Sequence, residues 1–399
     1  MSLRLMHVDL DAFFVEVCRR HQPELRDIAL LVVGGRKESR GVVQSASYGA
    51  RAFGVRAGMP IAQAVRLCPG AVFVRGEFVH YRDASRAVHA IFLHHSPVVS
   101  MAGLDEGFLD FSGTDLLHPV SLLDAAERLR TAVKAATGLD ASIGIGSNRM
   151  IAKLASDFAK PRGICEVRPG WERGFVAGLP LSALPGVGPV TSARLAERGL
   201  RDVRQIQEMP AAELVRLVGR DEAMQLTRRA AGQGGSTLRA VGPPKSVSRE
   251  TTFSRDVRAA DELDRVLLLL TARVANQLRE EGLAAGGVVL KLRHGDFVTV
   301  TRSATLSART SLDAELLAAA RPLLAAAWGG ARTRGQAVRL LGIAATRLAQ
   351  TEAPDLFESA ERGRQRDVTA AVDSVRAKYG FDALGSAALV GRKKDDRRS

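Results

Sequence analysis

The chain opens on a strand pattern. In "RLMHVDLDAFF", residues 4 to 14, an apolar run carries Asp9 and Asp11 near its end and passes straight into Ala12, Phe13 and Phe14. A buried carboxylate without a partner is costly, so these acids either cap a turn or face a cation. The clearest periodicities lie further on. "SRETTFS" (248–254) reads as a strand. Residues 261 to 282 place Leu263, Val266, Leu267, Leu270, Val274 and Leu278 on one face of an amphipathic helix. "GVVLKLR" and "FVTVTRSATL" read as strands joined by the turn "HGD". Residues 311 to 327 are helical, and "QAVRLLGIAATRL" returns as a strand. The order βαββαβ predicts a split βαβ sandwich of one sheet and two helices.

Residues 166 to 230 read as short helices and turns. Among them, "LPGVGPVTSARLAERGL" (184–200) has the pattern of a helix-hairpin-helix. Gly186 and Gly188 there would let backbone N–H groups approach a phosphate at a helix N-terminus. A mere helix connector accounts for a lone G-x-G as well. The Gly-, Ser- and Pro-rich "AAGQGGSTLRAVGPPKS" (230–246) is a linker. Further breaks fall at "AKPRG" (159–163) and "AQTEAP" (349–354).

Charge narrows the partners. Lys and Arg outnumber Asp and Glu by 57 to 43, a net charge of +14. That favours a polyanion, nucleic acid first and an acidic membrane second. No apolar run approaches a membrane span, and the N-terminus lacks a signal-peptide core. Cys18, Cys68 and Cys165 are scattered and form no C-x-x-C, which supports neither a disulfide framework nor a zinc site. A reducing cytoplasm fits them.

A second acidic stretch, "VVSMAGLDEGFLDFSG" (98–113), sets Asp105 and Glu106 at the start of a strand-like run. If that strand lies beside the one carrying Asp9, three carboxylates converge, and such a group repels itself unless cations neutralise it. Oxygen ligands without His or Cys suit Mg²⁺, and paired Mg²⁺ in a basic protein suits phosphoryl transfer on nucleic acid. From spacing alone, separate turn-capping acids read equally well. Tyr48 and Arg51 sit three apart on a helix face and together suit a triphosphate. Lys153 and Lys160 follow in "SNRMIAKLASDFAKPRG" (147–163), where solvated surface charge is the plain alternative.

Taken in order, "HVDLDAFF", "SYGARAFGVRAGMP", "LDEGFLD", "SNRMIAKLASDFAKPRG", "LPGVGP" and "KSVSRETTF" resemble the Y-family DNA polymerases, in their DNA polymerase IV branch, over residues 4 to 350. The resemblance implies an α+β right hand. A ferredoxin-like palm would take residues 1–10 and 77–165, and small fingers 11–76. A helical thumb with the helix-hairpin-helix would take 166–232, a linker 233–246, a βαββαβ little finger 247–349 and a C-terminal tail 350–399. It implies that Asp9, Asp105 and Glu106, with the Leu10 carbonyl, hold two Mg²⁺ ions. Phe14 becomes the steric gate that excludes a 2′-hydroxyl, and Phe13 joins the backbone around the nucleotide. Tyr48, Arg51 and Lys160 bind the triphosphate, with Ser45 assisting. Gly58 and Met59 lie in the roof over the templating base. Gly186, Gly188 and Lys245 contact DNA.

The implied activity is lesion-tolerant, low-fidelity extension of a primer by a cytoplasmic monomer, with primer–template DNA and dNTP as partners and no membrane. In the tail, Leu356 and Phe357 of "APDLF" match the anchors of a sliding-clamp peptide. Ala353 and Pro354 depart from it, and a linker with two apolar residues reads as well. Val368, Val372, Val375 and Tyr379 then form one face of a short helix. Other departures are Gly103 in place of a common serine, Ser47 and Gly49 around Tyr48, Arg149 for a common lysine, and Cys18 at a usually acidic position. A non-catalytic accessory protein of the same fold and a two-metal nuclease are the competing functions. Retention of all three acids argues against the first, and the Tyr48–Arg51 pair against the second.

Overall fold

The computed structural model describes residues 4–114, 121–238, 242–333, 336–351 and 359–385. The chain forms two compact units, Met1–Gly242 and Pro243–Ser399. No helix among the described residues is long and apolar enough to cross a membrane.

The first unit begins with β1 (Leu5–Leu10) and α1 (Phe13–His21). A small segment follows: β2 (Leu31–Val33), β3 (Ser45–Ala46), α2 (Tyr48–Ala52), α3 (Ile61–Leu67) and β4 (Val72–Val74). The chain continues through α4 (Phe78–His95), β5 (Val98–Met101), β6 (Glu106–Asp110), α5 (Leu122–Thr137), β7 (Ala141–Gly146), α6 (Arg149–Phe158) and β8 (Ile164–Glu166). Five short helices complete it: α7 (Glu172–Ala177), α8 (Pro189–Ala196), α9 (Val203–Glu208), α10 (Ala211–Val218) and α11 (Arg220–Ala230).

The main sheet has the order β5-β6-β1-β7-β8, so β1 is central and antiparallel to both its neighbours. Side chains alternate across it. Met6, Val8 and Leu10 point into a core shared with Phe13 and Val17 of α1, Phe92 of α4 and Leu129 of α5. His7 and Asp9 point to the other face, which α6 covers in part. Gly144 of β7, opposite His7, makes that cover possible: a Cβ there would lie 2.0 Å from the Ala152 carbonyl oxygen of α6. Met150, Ile151 and Leu154 of α6 also join a second core, with Val176, Leu195 and Leu226 of the short helices. A third core, around Val32, Val43, Ile61 and Cys68, belongs to the small segment and its three-stranded sheet, order β3-β2-β4.

The second unit runs β9 (Ser246–Val257), α12 (Ala260–Glu280), β10 (Leu283–His294), β11 (Thr299–Thr310), α13 (Asp313–Thr333), β12 (Val338–Gln350) and α14 (Ala360–Tyr379). The sheet order β11-β10-β12-β9, with α12 and α13 packed on one face, is the βαββαβ sandwich that the periodicity predicts. Two details differ. Phe297 adopts a positive φ of 69° in the turn after β10 and is exposed, so β11 begins later than the apolar pattern suggests. The helix expected around Val368 is long, and it buries none of its residues. It is held instead by charge, since the Arg279 guanidinium bonds Asp373 of α14 and Asp313 of α13.

The tight α6–β7 approach yields a test. Gly144→Ala forces backbone of α6 away from the sheet, and overpacking of this kind costs about 1–3 kcal/mol. The thermal midpoint of the first unit should fall by several degrees while that of the second stays put. Calorimetry of the full chain reads both transitions, and an unchanged first transition would contradict the packing described.

Candidate active site

Strand register places the acids. Asp9 of β1 lies directly opposite Glu106 of β6, so the two side chains leave the same face. The Leu10 amide donates to the Asp105 carbonyl at 2.8 Å, which closes this end of the strand pair and puts Asp105 next to them. Acids from two stretches distant in sequence thus meet at one strand end.

Two lysines of α6 and its following turn reach this end. The Lys160 ammonium donates to Asp9 at 2.7 Å and to Asp157 at 2.8 Å. The Lys153 ammonium pairs with Glu106. His7 is fully buried, with Nδ1 2.6 Å from Ser156 Oγ and Nε2 3.4 Å from the Glu106 carboxylate. Among the described residues, no three His, Cys, Asp or Glu side chains are gathered closely enough to hold a metal ion. The backbone assembles the acids, while the Asp9 and Glu106 carboxylates each take an ammonium.

Burial raises the Asp9 carboxyl above its ordinary value, and Lys160 offsets only part of that. Burial likewise raises Asp105, and the neighbouring Glu106 adds to it. Glu106 moves the other way: the His7 ring, and then Lys153, hold it down at about 2 against burial. For Lys160, burial disfavours the ammonium, but Asp9 and Asp157 outweigh it and raise the pKa. Two acids are therefore short of positive charge. An all-oxygen set of that kind fits a hard divalent cation.

Asp11 has a different part. It is 4% exposed, and its carboxylate accepts from the Tyr48 hydroxyl (2.7 Å), the Ser142 hydroxyl (3.1 and 3.0 Å) and the Arg162 amide (2.8 Å). Asp11 is thus a clasp joining the end of β1 to α2, β7 and the segment after α6. The next residue, Ala12, takes a left-handed φ of 47°, and this corner splits the two aromatics. Phe13 turns into the core at 1% exposure, and Phe14 stays half-buried at the rim.

The triphosphate candidates lie on and beside α2. The Tyr48 hydroxyl is engaged by Asp11, and burial followed by that bond raises its pKa strongly. The Arg51 guanidinium stacks 4.9 Å from the Tyr48 ring centroid while its Nε donates to the Ala46 carbonyl at 2.9 Å. Ser45 is buried in β3. Ser47 is the helix N-cap, accepting from the Ala50 amide at 3.3 Å and the Leu31 amide at 3.0 Å. Gly49 is required by fit, because a Cβ would lie 2.7 Å from the Ala29 carbonyl oxygen.

Gly186 adopts a positive φ of 82°, Gly188 is the N-cap of α8, and the Val187 amide between them donates to the Leu184 carbonyl at 3.0 Å. Lys245 is exposed just ahead of β9. The basic residues of the second sheet do not share a face. Lys291 and Arg293 alternate away from the core-facing Leu290 and Leu292, whereas Arg302 pairs with Leu290 and Arg249 with Ile343 on the helix-bearing side. The clamp-peptide candidates Leu356 and Phe357 lie outside the described residues.

Sequence reasoning missed His7 and Ser142. A histidine within an apolar strand and a serine in a buried one carry no signal until their partners, 149 and 131 residues away, are known.

Comparison with known proteins bears on the family and the fold. Residues 8–157 match the model of the impB/mucB/samB family, and residues 244–356 match that of the family's C-terminal domain. Similar curated proteins include a DNA polymerase IV of Caulobacter vibrioides, 37% identical over 396 residues, which span 98% of this chain and 95% of the relative. Another is a DNA polymerase IV of Dehalococcoides mccartyi, 37% identical over 385 residues, 96% of this chain and 97% of the relative. Among solved structures, a Y-family DNA polymerase chimera shares the fold with a TM-score of 0.72 at 23% identity, covering 87% of this chain and 100% of that one. An insertion ternary complex of the Dbh DNA polymerase matches with a TM-score of 0.59 at 23% identity, covering 86% of this chain and 98% of that one.

The charge pattern predicts a pH response. Because the folded Glu106 value of about 2 lies below its ordinary 4.5, its pairing stabilises the fold fully above pH 4.5. That stabilisation is lost as pH falls towards 2. Raised Asp9 and Asp105 contribute with the opposite sign, their burial cost easing as they protonate. Chemical denaturation of wild type and Glu106→Gln should show a stability gap that narrows from pH 5 to pH 3. A constant gap would contradict the depressed value.

Proposed function

The chain belongs to the impB/mucB/samB family of Y-family DNA polymerases and is a DNA-directed, translesion DNA polymerase with a right-hand fold; from that premise we propose how its residues do the work. The observation that carries the proposal is the β1–β6 register that sets Asp9 opposite Glu106 beside Asp105. We assign these three carboxylates and the Leu10 carbonyl as the groups that hold two Mg²⁺ ions. The chemistry bound ions supply there is neutralisation of the triphosphate and activation of the primer 3′-hydroxyl. Lys160 and Lys153, paired with Asp9 and Glu106, exchange those acids for phosphate oxygens when nucleotide arrives. Arg51, stacked on Tyr48, presents its guanidinium to the same phosphates. Phe14 stands at the rim as the wall against a 2′-hydroxyl.

The domain assignment is palm for 1–10 and 77–165, fingers for 11–76, thumb for 166–232 and little finger for 247–349. The start of the fingers, α1, packs in the palm core, so fingers and palm share their first helix. DNA backbone contact falls to the hairpin around Gly186 and Gly188, to Lys245, and to the Lys291 and Arg293 face. The protein acts as a cytoplasmic monomer, with Leu356 and Phe357 as anchors for a sliding clamp.

Loss of a metal-holding acid should stop chemistry and spare binding. Asp105→Ala should abolish primer extension while primer–template affinity stays within a few-fold. Ordinary extension by this variant would remove Asp105 from the site.

Phe14→Ala removes the wall without touching an acid. Misplacement of the reacting centre is costly in rate, so ribonucleotide incorporation relative to deoxynucleotide should rise by about two orders of magnitude, a few kcal/mol of discrimination. An unchanged kcat/KM ratio with a lowered melting temperature would make Phe14 a packing residue only.

Leu356→Ala with Phe357→Ala should remove any stimulation by the organism's own clamp and leave unstimulated synthesis intact. If wild type is not stimulated, the peptide assignment fails.

A further inference from the structure

Phe14 cannot discriminate a hydroxyl group unless its ring is held still, and it sits half-buried at a rim. Two aromatic edges meet it. The Phe13 ring is 5.2 Å away at 75°, and the Tyr81 ring of α4 is 4.7 Å away at 81°, an edge-to-face contact. Phe13 follows the same backbone and moves with it. Tyr81 comes from another helix and is 0% exposed.

Tyr81 is itself fixed at both ends. Its ring is flanked by Phe14, by Phe13 at 6.0 Å and by Phe78 at 5.7 Å. Its hydroxyl lies 3.1 Å from the thiol of Cys18, which is 4% exposed. Cys18 is four residues after Phe14 on α1, hence on the same helix face. One helix therefore carries both the gate and the anchor of the residue that braces the gate. The hydroxyl also fills the space over Gly76, where a Cβ would lie 1.4 Å from it. Burial raises both the phenol and the thiol pKa, so both groups stay protonated and the bond between them is neutral and weak.

We propose that Tyr81, anchored by Cys18 and seated over Gly76, is a positioning residue that fixes the Phe14 ring and thereby sets the preference for deoxynucleotides over ribonucleotides. The inference rests on the reading of Phe14 as the sugar gate. Support from a second layer is what holds a discriminating side chain to a narrow geometry. An edge-to-face ring pair adds attraction beyond its burial, enough to shift the ratio by about threefold to tenfold when it is lost.

The experiment measures kcat/KM for a matched dNTP and rNTP, with a thermal melt, in wild type, Phe14→Ala, Tyr81→Leu, Tyr81→Phe and Cys18→Ala. Tyr81→Leu should lower the dNTP/rNTP ratio about tenfold. Tyr81→Phe and Cys18→Ala should each lower it about threefold, and together no further, because they break the same bond. A lowered melting temperature with an unchanged ratio in all three variants, while Phe14→Ala lowers the ratio, would overturn the inference and leave Tyr81 as core. If Tyr81→Leu fails to fold, Tyr81→Phe and Cys18→Ala decide alone. A flat ratio in Phe14→Ala would instead overturn the gate reading, and this inference with it.

Discussion

One buried carboxylate fixes the geometry on which the site depends. Asp11 follows the central strand at 4% exposure, and donors from α2, β7 and the segment after α6 satisfy it. Hydrogen bonds to a charged group are worth about 1.5–3 kcal/mol each, whereas a non-glycine residue in a left-handed conformation costs about 1–3 kcal/mol. The clasp therefore outweighs the strain at Ala12. The chain can turn sharply after β1, send Phe13 inward and leave Phe14 at the rim. The same clasp holds the Tyr48 hydroxyl, and so sets where α2 and Arg51 stand relative to Asp9.

Around that fixed corner the remaining charges are exchangeable. Asp9 and Glu106 hold lysine ammoniums, while burial leaves Asp9 and Asp105 reluctant to ionise. On the proposed assignment, such a site gains when a divalent cation and an anionic triphosphate enter together, because acids and lysines then trade partners without leaving a charge unpaired. His7 stands apart from that exchange: fully buried, it backs Glu106 from the side of α6.

The sequence made the second unit's element order legible because its helices and strands keep clean periods, and strand ends with paired acids were visible as motifs. The partners of those acids were not. Lys160 and Asp9 are 151 residues apart, and Ser142 in β7 gives no hint that it serves Asp11. Alternation along single strands could not say whether the basic residues of the second sheet share a face; cross-strand partners place Arg249 and Arg302 on the helix side. The tail helix looked apolar on one face. The structure holds it by the Arg279 ion pairs instead, which no period in its own sequence announces.

Whether the acids, lysines and gate act together in templated nucleotide addition is decided by incubating the protein and Mg²⁺ with an end-labelled primer on a defined template, supplying the complementary dNTP, a non-complementary dNTP or none. The account predicts a primer one residue longer with the complementary dNTP, far less product with the other, and an intact primer with none. Shortening of the primer without nucleotide would mark a nuclease, and an unchanged primer in every lane would mark a non-catalytic partner of other polymerases; either result contradicts the account.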